Sequence, residues 1–565
     1  MAAAPREELS LIADMNRLQE EHGHLRPEHL RQLAQTRRVP LYRLQGLASF
    51  YPHFRTRPLP AARISLCRDM SCHLAGAPDL ARAVEKEMEN DVAAGRVEVC
   101  KTSCLGQCDA APACCVNGIP LPSGGDRGVR DRARRITGWA RHPEAPPPTR
   151  PAPSARTFRC DPYPDPASRY GVLRSLLEGG VPAGGRLDLR TAQRILSTLK
   201  AADLRGMGGA AFPTATKWDL VRQQQASPRF VIVNADESEP GTFKDRVILQ
   251  DLPHLVVEGA LLACLVVGAE RGIIYIRHEY GGERRVLEAE IEQVRSRALL
   301  AAPLDLFVSP GGYILGEETA LLEALEDRRG EPRNKPPYPV SQGLWGRPTL
   351  INNVETLAMV PAILTHGADW WKAQGRDGFS GLKFIALSGH VEHPGVHEVS
   401  VGTPIAELIR RGGGVSGRRD LAALAPGGAS SPFLPPEAVS LPLDFKALQD
   451  AGSMLGSGAV VVAAAGTDLL DLALNVVTFF RSESCGKCVP CRTGTEKAVR
   501  ILSDLAAGRG SRAAVDLLPQ LGETLLLTSI CGLGQVALNP VLSLLQHFPE
   551  AIASRLPRGD QGNDS

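Results

Sequence analysis

The sequence carries almost no excess charge of either sign. Its 64 lysines and arginines are matched by 62 aspartates and glutamates, for a formal net charge of +2. Long-range attraction to nucleic acid or to an anionic membrane surface is therefore not its means of recognition. Apolar runs long enough to span a bilayer are also missing. The longest, residues 255–269 and 455–465, fall short of the required ~20 residues, and Glu258 interrupts the first. The opening MAAAPREEL has no basic segment, apolar stretch or small-residue cleavage site, so a cytoplasmic protein without a membrane span is expected. No internal repeat is visible. With 43% hydrophobic and 22% charged residues the balance is that of a globular chain rather than a disordered one. A reducing compartment makes a disulfide framework unexpected, so any clusters among the 13 cysteines read as metal ligands or redox groups.

A chain of 565 residues exceeds what one core can organise, and several domains are expected. The proline-dense stretch RHPEAPPPTRPAPS opposes helix and sheet and marks a linker over 141–156. Ahead of it, short amphipathic helices over 7–50, strand-like ARISLC and RVEVC, and a helix over 79–89 suggest a small α/β domain in 1–140. Residues 157–380 alternate helices with β-rich runs at 230–233, 272–276 and 304–308, as in a layered α/β domain. A small β-rich domain is expected at 381–466, from KFIALSGHV, the glycine turn at 412–414 and GAVVVAA. Four helical segments, at 469–481, 495–507, 513–527 and 535–548, place a bundle in 467–565. The fold class is thus multidomain, α/β and α+β.

Two cysteine constellations stand out. Cys485, Cys488 and Cys491 form a Cys-x2-Cys-x2-Cys run, and Cys531 follows in TSICGLG. Three thiolates on one turning loop and a fourth from elsewhere suit a 4Fe-4S cluster. Zinc also accepts four thiolates, but more often from two separated pairs. Near the amino terminus, Cys67 and Cys72 form one pair and Cys104 and Cys108 another, enough to hold a 2Fe-2S cluster from two loops, with zinc or unligated buried thiols as alternatives. Cys100, Cys114 and Cys115 fit the paired spacing less well, and Cys160 and Cys264 read as structural.

Three polar segments follow or adjoin expected strands. Residues 206–213, GMGGAAFP, formally match a dinucleotide fingerprint, but a helix rather than a strand precedes them, so that reading is set aside. The glycines still permit close backbone approach to a phosphate or flat ring, with Lys217 downstream. After the strand FVIV comes NADESEPGTFKDR, where carboxylates and amides at a strand end suit ribose, ribityl or ring atoms. SPGGYILGEET ends another strand, and KPPYP leads to INNVET, which opens a helix whose free amides can receive phosphate.

Taken in order, these strings resemble the flavin-bearing NADH dehydrogenase subunit of respiratory complex I and its soluble relatives over roughly 170–550. The amino-terminal part resembles the thioredoxin-fold 2Fe-2S subunit of the same systems. As a whole, with LPLDFKALQ and TSICGLGQVALNPV, the chain most resembles the β (diaphorase) subunit of soluble NAD-dependent molybdenum or tungsten formate dehydrogenase. The resemblance implies a thioredoxin-like ferredoxin domain, an FMN-binding α/β domain, a small soluble-ligand-binding β-grasp-like domain and a helical bundle carrying a 4Fe-4S cluster. It implies FMN contacts from Gly206, Gly208, Lys217, Asn234, Asp236, Tyr313, Gly316, Glu317, Asn352, Asn353 and Thr356. It places NAD(H) at Phe212, Glu239, Glu318, Lys335 and Tyr338, with Glu239 and Glu318 nearest the chemistry. Cys485, Cys488, Cys491 and Cys531 become the 4Fe-4S ligands, and Cys67, Cys72, Cys104 and Cys108 those of the 2Fe-2S centre. Met207, Ala211, Ser238 and Leu315 depart from the arginine, glycines and cysteine usual in that family.

NAD(H) exchanges a hydride and an iron-sulfur cluster takes one electron, so a flavin between them is the expected converter. The expected partner is the metal-pterin α subunit of formate dehydrogenase on another polypeptide. An NAD-linked hydrogenase, a fused peripheral subunit of complex I and a redox-inactive zinc scaffold are the alternatives.

Overall fold

The computed structural model describes residues 10–122, 128–144, 156–180 and 186–557; most of the expected linker, 145–155, lies outside these. Three helices come first, α1 (Leu11–His22), α2 (Pro27–Arg37) and α3 (Leu41–Phe50). α1 starts where the Ser10 side chain accepts the Ala13 N–H and stops at left-handed Gly23, a cap at each end. Ile12, Leu33 and Leu47 share one apolar core with Ile232 and Tyr275 of the large sheet and Phe480 of the carboxy-terminal bundle.

The small sheet that follows has its own core, built on Ile64, Val84, Val116 and Ile136. Its strands β1 (Ala62–Cys67), β2 (Val97–Thr102), β3 (Cys114–Val116) and β4 (Ile119–Pro120) lie in the order β2-β1-β3-β4. β1 runs parallel to β2 and antiparallel to β3. The helix expected over 79–89 ends at Glu87 and restarts as Glu89–Ala93, because Met88 leaves the helical conformation.

The large sheet contains β5 (Phe230–Ala235), β6 (Arg271–Arg277), β7 (Leu304–Ser309) and β8 (Thr349–Asn353), all parallel, in the order β7-β6-β5-β8. Successive crossovers lead from β5 to β6 and β7 on one side, while β8 returns to the other side of β5. The carboxyl ends of β5 and β8 therefore flank a topological switch point, where open α/β sheets bind ligands. After β5 come α4 (Lys244–Asp251) and α5 (Pro253–Val267), the latter with all 15 residues buried. Its one acid, Glu258, accepts from the Tyr163 hydroxyl at 2.8 Å and the Leu173 N–H at 3.0 Å. These bonds satisfy a group that burial raises to about 7. α6 (Val354–Ala358) starts at the very end of β8, with Asn353 as its cap.

The small β-rich domain contains β9 (Leu382–Gly389), β10 (Gly395–Ser400), β11 (Leu421–Ala425) and β12 (Ala459–Ala464), in the order β10-β9-β12-β11. The bundle opens with α7 (Leu469–Glu483) and α8 (Val489–Ala506). α8 begins six residues before the expected 495, because Pro490 sits in its first turn, where no N–H is needed. The segment expected at 513–527 is two helices, Arg512–Val515 and Leu517–Thr528, and that at 535–548 is likewise two, Gly532–Val536 and Asn539–His547. Among the described residues no single helix is long and apolar enough to cross a membrane; α4 and α5 together reach that length but meet at 94°.

Candidate functional site

At the switch point the carboxyl ends of β5 and β8 open into a cavity of about 310 Å³, lined by Gly208, Asn234, Asp236, Glu239, Tyr313 and Asn353 among others. That size lies in the range of small-molecule sites. Each wall has a local cause. β5 carries Asn234 out of the sheet, where its Nδ2 donates to Gly316 O at 2.9 Å and its Oδ1 accepts from the Asp236 N–H at 3.2 Å. Asp236 accepts from the hydroxyls of Ser238 at 2.6 Å and Ser309 at 2.7 Å. Burial raises this carboxyl to about 6, against the pull of Arg277 and both hydroxyls. Glu239 accepts from the Tyr313 hydroxyl at 2.5 Å and the Ser430 N–H at 2.7 Å. Its carboxyl too is raised by burial, with Tyr313 and Ser430 opposing.

A buried ionic layer underlies the cavity. Lys244 lies 2.6 Å from Asp245 and 2.9 Å from Glu355, and Lys383 reaches the same Glu355 at 3.1 Å. Asn353 donates to Asp245 at 2.6 Å and caps α6 through its Oδ1. Because Lys383 stands on β9, this layer joins the small β-rich domain to the large sheet; burial lowers its ammonium to about 8.

The other expected contacts fall into two groups. Gly206, Asn352 and Thr356 shape the glycine loop from behind: Gly206 N donates to Phe212 O at 2.9 Å, Trp218 Nε1 to Asn352 Oδ1 at 2.9 Å, and Met207 N to Thr356 Oγ1 at 2.8 Å. Lys217, Glu318, Lys335 and Glu317 form a charge chain, with Lys217–Glu318 at 3.3 Å, Lys335–Glu318 at 2.9 Å and Lys335–Glu317 at 2.8 Å. Burial would raise Glu318, but the two lysines outweigh it and hold the carboxyl below its usual value. Phe212 and Tyr338 are 46% and 54% exposed, open faces suited to stacking a planar ring. Ala211 adopts φ 52°, a left-handed conformation that costs a residue with a Cβ about 1 kcal/mol.

Cys485, Cys488, Cys491 and Cys531 line one pocket with Ile314, Pro332 and Leu533. The end of α7 and the start of α8 bring the first three together; the loop before Gly532–Val536 brings the fourth. A Cβ on Gly534 would lie 2.4 Å from Ser529 Oγ and 3.0 Å from Cys491 Cβ, so only glycine fits beside the ligand loop. Cys67, Cys72, Cys104 and Cys108 are all buried in the ferredoxin-like domain, with the last two sulfurs 4.0 Å apart. The Ala113 N–H donates to Cys72 Sγ at 3.3 Å and the Gly106 N–H to Cys104 Sγ at 3.4 Å, the N–H···S support that an iron-sulfur centre uses. Both cysteine sets thus fit clusters, and the acceptor-rich cavity fits a flavin carrying hydroxyl and ring N–H donors.

Several lining residues escaped the sequence reading: Gly427, Ser430, Met454 and Ser457 from the small β-rich domain, and Leu533 and Val536 from the bundle. Nothing in the sequence spacing assigns these residues to this cavity.

The chain matches four families: the Nuo51 FMN-binding domain over 199–362, the NADH-ubiquinone oxidoreductase-F iron-sulfur binding region over 471–555, the thioredoxin-like [2Fe-2S] ferredoxin over 1–122 and the SLBB domain over 383–462. It is 40% identical over 395 residues to the second NADH-quinone oxidoreductase F-subunit of Rhizobium meliloti (strain 1021), spanning 67% of this chain and 93% of that protein. It is also 40% identical over 374 residues to the corresponding F-subunit of Rickettsia bellii (strain OSU 85-389), spanning 64% of this chain and 90% of that protein. Among solved structures, a chain of an NAD+-reducing [NiFe]-hydrogenase in the air-oxidized state superposes with a TM-score of 0.82 at 33% identity, over 96% of this chain and 93% of that one. The FMN-binding, 4Fe-4S and 2Fe-2S domains expected from the sequence are therefore present, in the expected multidomain fold.

Proposed function

As this chain belongs to the family of NADH-quinone oxidoreductase F-subunits, with a 2Fe-2S ferredoxin domain fused ahead of it, we propose that it is the NAD(H) diaphorase subunit of a cytoplasmic formate dehydrogenase. An NADH-oxidising electron-transfer role fits the whole family. One observation carries it: the cavity and the four-cysteine pocket share Ile314 and Leu533 as a common wall. FMN, when bound, supplies the exchange between hydride and single electrons.

The residues divide the work. The open faces of Phe212 and Tyr338 receive the planar rings of NAD(H), and Glu318, fixed between Lys217 and Lys335, accepts its hydroxyl donors. Asn234, Asp236 and Asn353 orient the flavin, and Glu239, held in place by Tyr313 in the same cavity, faces NAD(H). The bundle cysteines would hold a 4Fe-4S cluster, which supplies one-electron exchange, and the ferredoxin cysteines would hold the 2Fe-2S cluster.

The formate partner rests on the likeness of LPLDFKALQ and TSICGLGQVALNPV to formate dehydrogenase β subunits. A second reading, diaphorase of an NAD-linked hydrogenase, is favoured by the nearly full-length likeness to the hydrogenase chain. Co-purification of the native complex separates them. Formate-driven NAD reduction is expected, whereas hydrogen-driven reduction without a formate response would select the hydrogenase.

A further inference from the structure

Helix α7 bears a row of four side chains at four-residue spacing, Asp471, Asn475, Phe479 and Glu483, which falls along one slanted ridge of a helix. Every member of the row touches a redox loop. Asp471 pairs with His73 at 2.7 Å, one residue beyond Cys72. Asn475 accepts the Met70 N–H at 2.7 Å and donates to Arg68 O at 2.9 Å, gripping the loop between Cys67 and Cys72 from both sides. Phe479 meets the Tyr313 ring edge-on at 5.0 Å, against the wall of the flavin cavity. Glu483 closes the row: one carboxylate oxygen accepts from the hydroxyl of Ser103, the neighbour of Cys104, and the other accepts the Tyr313 N–H at 2.9 Å. Two residues later comes Cys485.

The geometry points to Glu483 as a positioning residue, a carboxylate that ties the 2Fe-2S loop and the flavin wall to the helix leading into the 4Fe-4S loop and places negative charge against the neighbour of Cys104 and two residues from Cys485. This assignment rests on the cluster and flavin sites proposed above. Two hydrogen bonds to separate domains leave the carboxylate one place to sit. A negative charge near a cluster opposes the addition of an electron, so it holds both reduction potentials down. A purely structural tie would fix the loops without moving either potential.

The test is an EPR-monitored redox titration of the full chain with Glu483→Gln, which keeps the side-chain size and removes the charge. The expected result is a positive shift of both midpoint potentials, with iron and FMN content equal to wild type. Unshifted potentials in a fully loaded variant would overturn the assignment. Should that variant not assemble, Ser103→Ala decides. It cuts only the arm to the ferredoxin domain, so a change in the 2Fe-2S potential with the 4Fe-4S potential unmoved supports the role, and no change in either overturns it. Wild type is titrated alongside: if it shows neither cluster, the functional reading has failed, whereas normal wild-type signals with an indifferent variant sink only the role of Glu483.

Discussion

Ile314 and Leu533 each face two sites at once, the flavin-site cavity and the pocket of four cysteines. Ile314 comes from the turn after β7 and Leu533 from the bundle, more than two hundred residues away in sequence. Together they form an apolar wall that the two sites share.

The charge chain at the cavity edge predicts the effect of Glu318→Gln. Lys217 loses its partner and Lys335 keeps only Glu317. Losing a charge-assisted hydrogen bond to NADH costs about 1.5–3 kcal/mol, a rise of roughly 10- to 100-fold in KM. FMN content should stay near wild type. Steady-state kinetics with an artificial acceptor check this, and wild-type parameters would remove Glu318 from the nucleotide site.

Cys488→Ser takes one thiolate from the bundle pocket, where Cys488 stands just before the first turn of α8. The 4Fe-4S signal of the reduced protein should be lost or altered, while NADH still bleaches the flavin. An unchanged signal by electron paramagnetic resonance would strike Cys488 from the ligands.

Asp236 gives a pH dependence with a definite sign. Its carboxyl, raised by burial to about 6 from 3.8, offers both oxygens as charged acceptors only when ionised. Flavin affinity should therefore fall as pH drops through about 6, and Asp236→Asn should bind more weakly but without that step. Without flavin the sign reverses. A raised native pKa contributes stability that is complete below 3.8 and lost as pH rises through about 6. Fluorescence of released FMN across this interval reads the first effect and thermal melting the second.

Packing behind the site predicts a large effect from one methyl group. A Cβ on Gly259 of α5 would lie 2.1 Å from Leu357 O of α6, a backbone contact that no rotamer relieves. Gly259→Ala should destabilise the large domain by about 1–3 kcal/mol or more. Because Asn353 caps α6 and Thr356 lies within it, FMN content should fall along with the melting temperature. A variant that melts like wild type would show that the two helices can part cheaply.

What the sequence made legible, and what it hid, follows from the reach of its signals. β1 and the large-sheet strands β5 to β7 announced themselves through short apolar runs, and the bundle cysteines through Cys-x2-Cys-x2-Cys, because those signals are local. Breaks inside helices were harder: Met88 and Asp516 interrupt runs whose apolar spacing continues past them. The cavity wall from Gly427 to Ser457 was hidden for another reason. It meets Asn353 and Asp236 only through tertiary packing, which Lys383 and Glu355 help to fix across the domain boundary. The row on α7 likewise reads as one face of an amphipathic helix until its partners Ser103, Met70 and Tyr313 are in place.

The most direct measurement is an anaerobic titration of the purified full chain with NADH, followed together by visible absorption and electron paramagnetic resonance. The expected result is flavin bleaching and the appearance of a reduced 4Fe-4S signal, with a separate 2Fe-2S signal on deeper chemical reduction, in a protein that reduces dyes but leaves formate untouched. A colourless protein holding zinc at its cysteines, or a bound flavin that NADH cannot bleach, would contradict it.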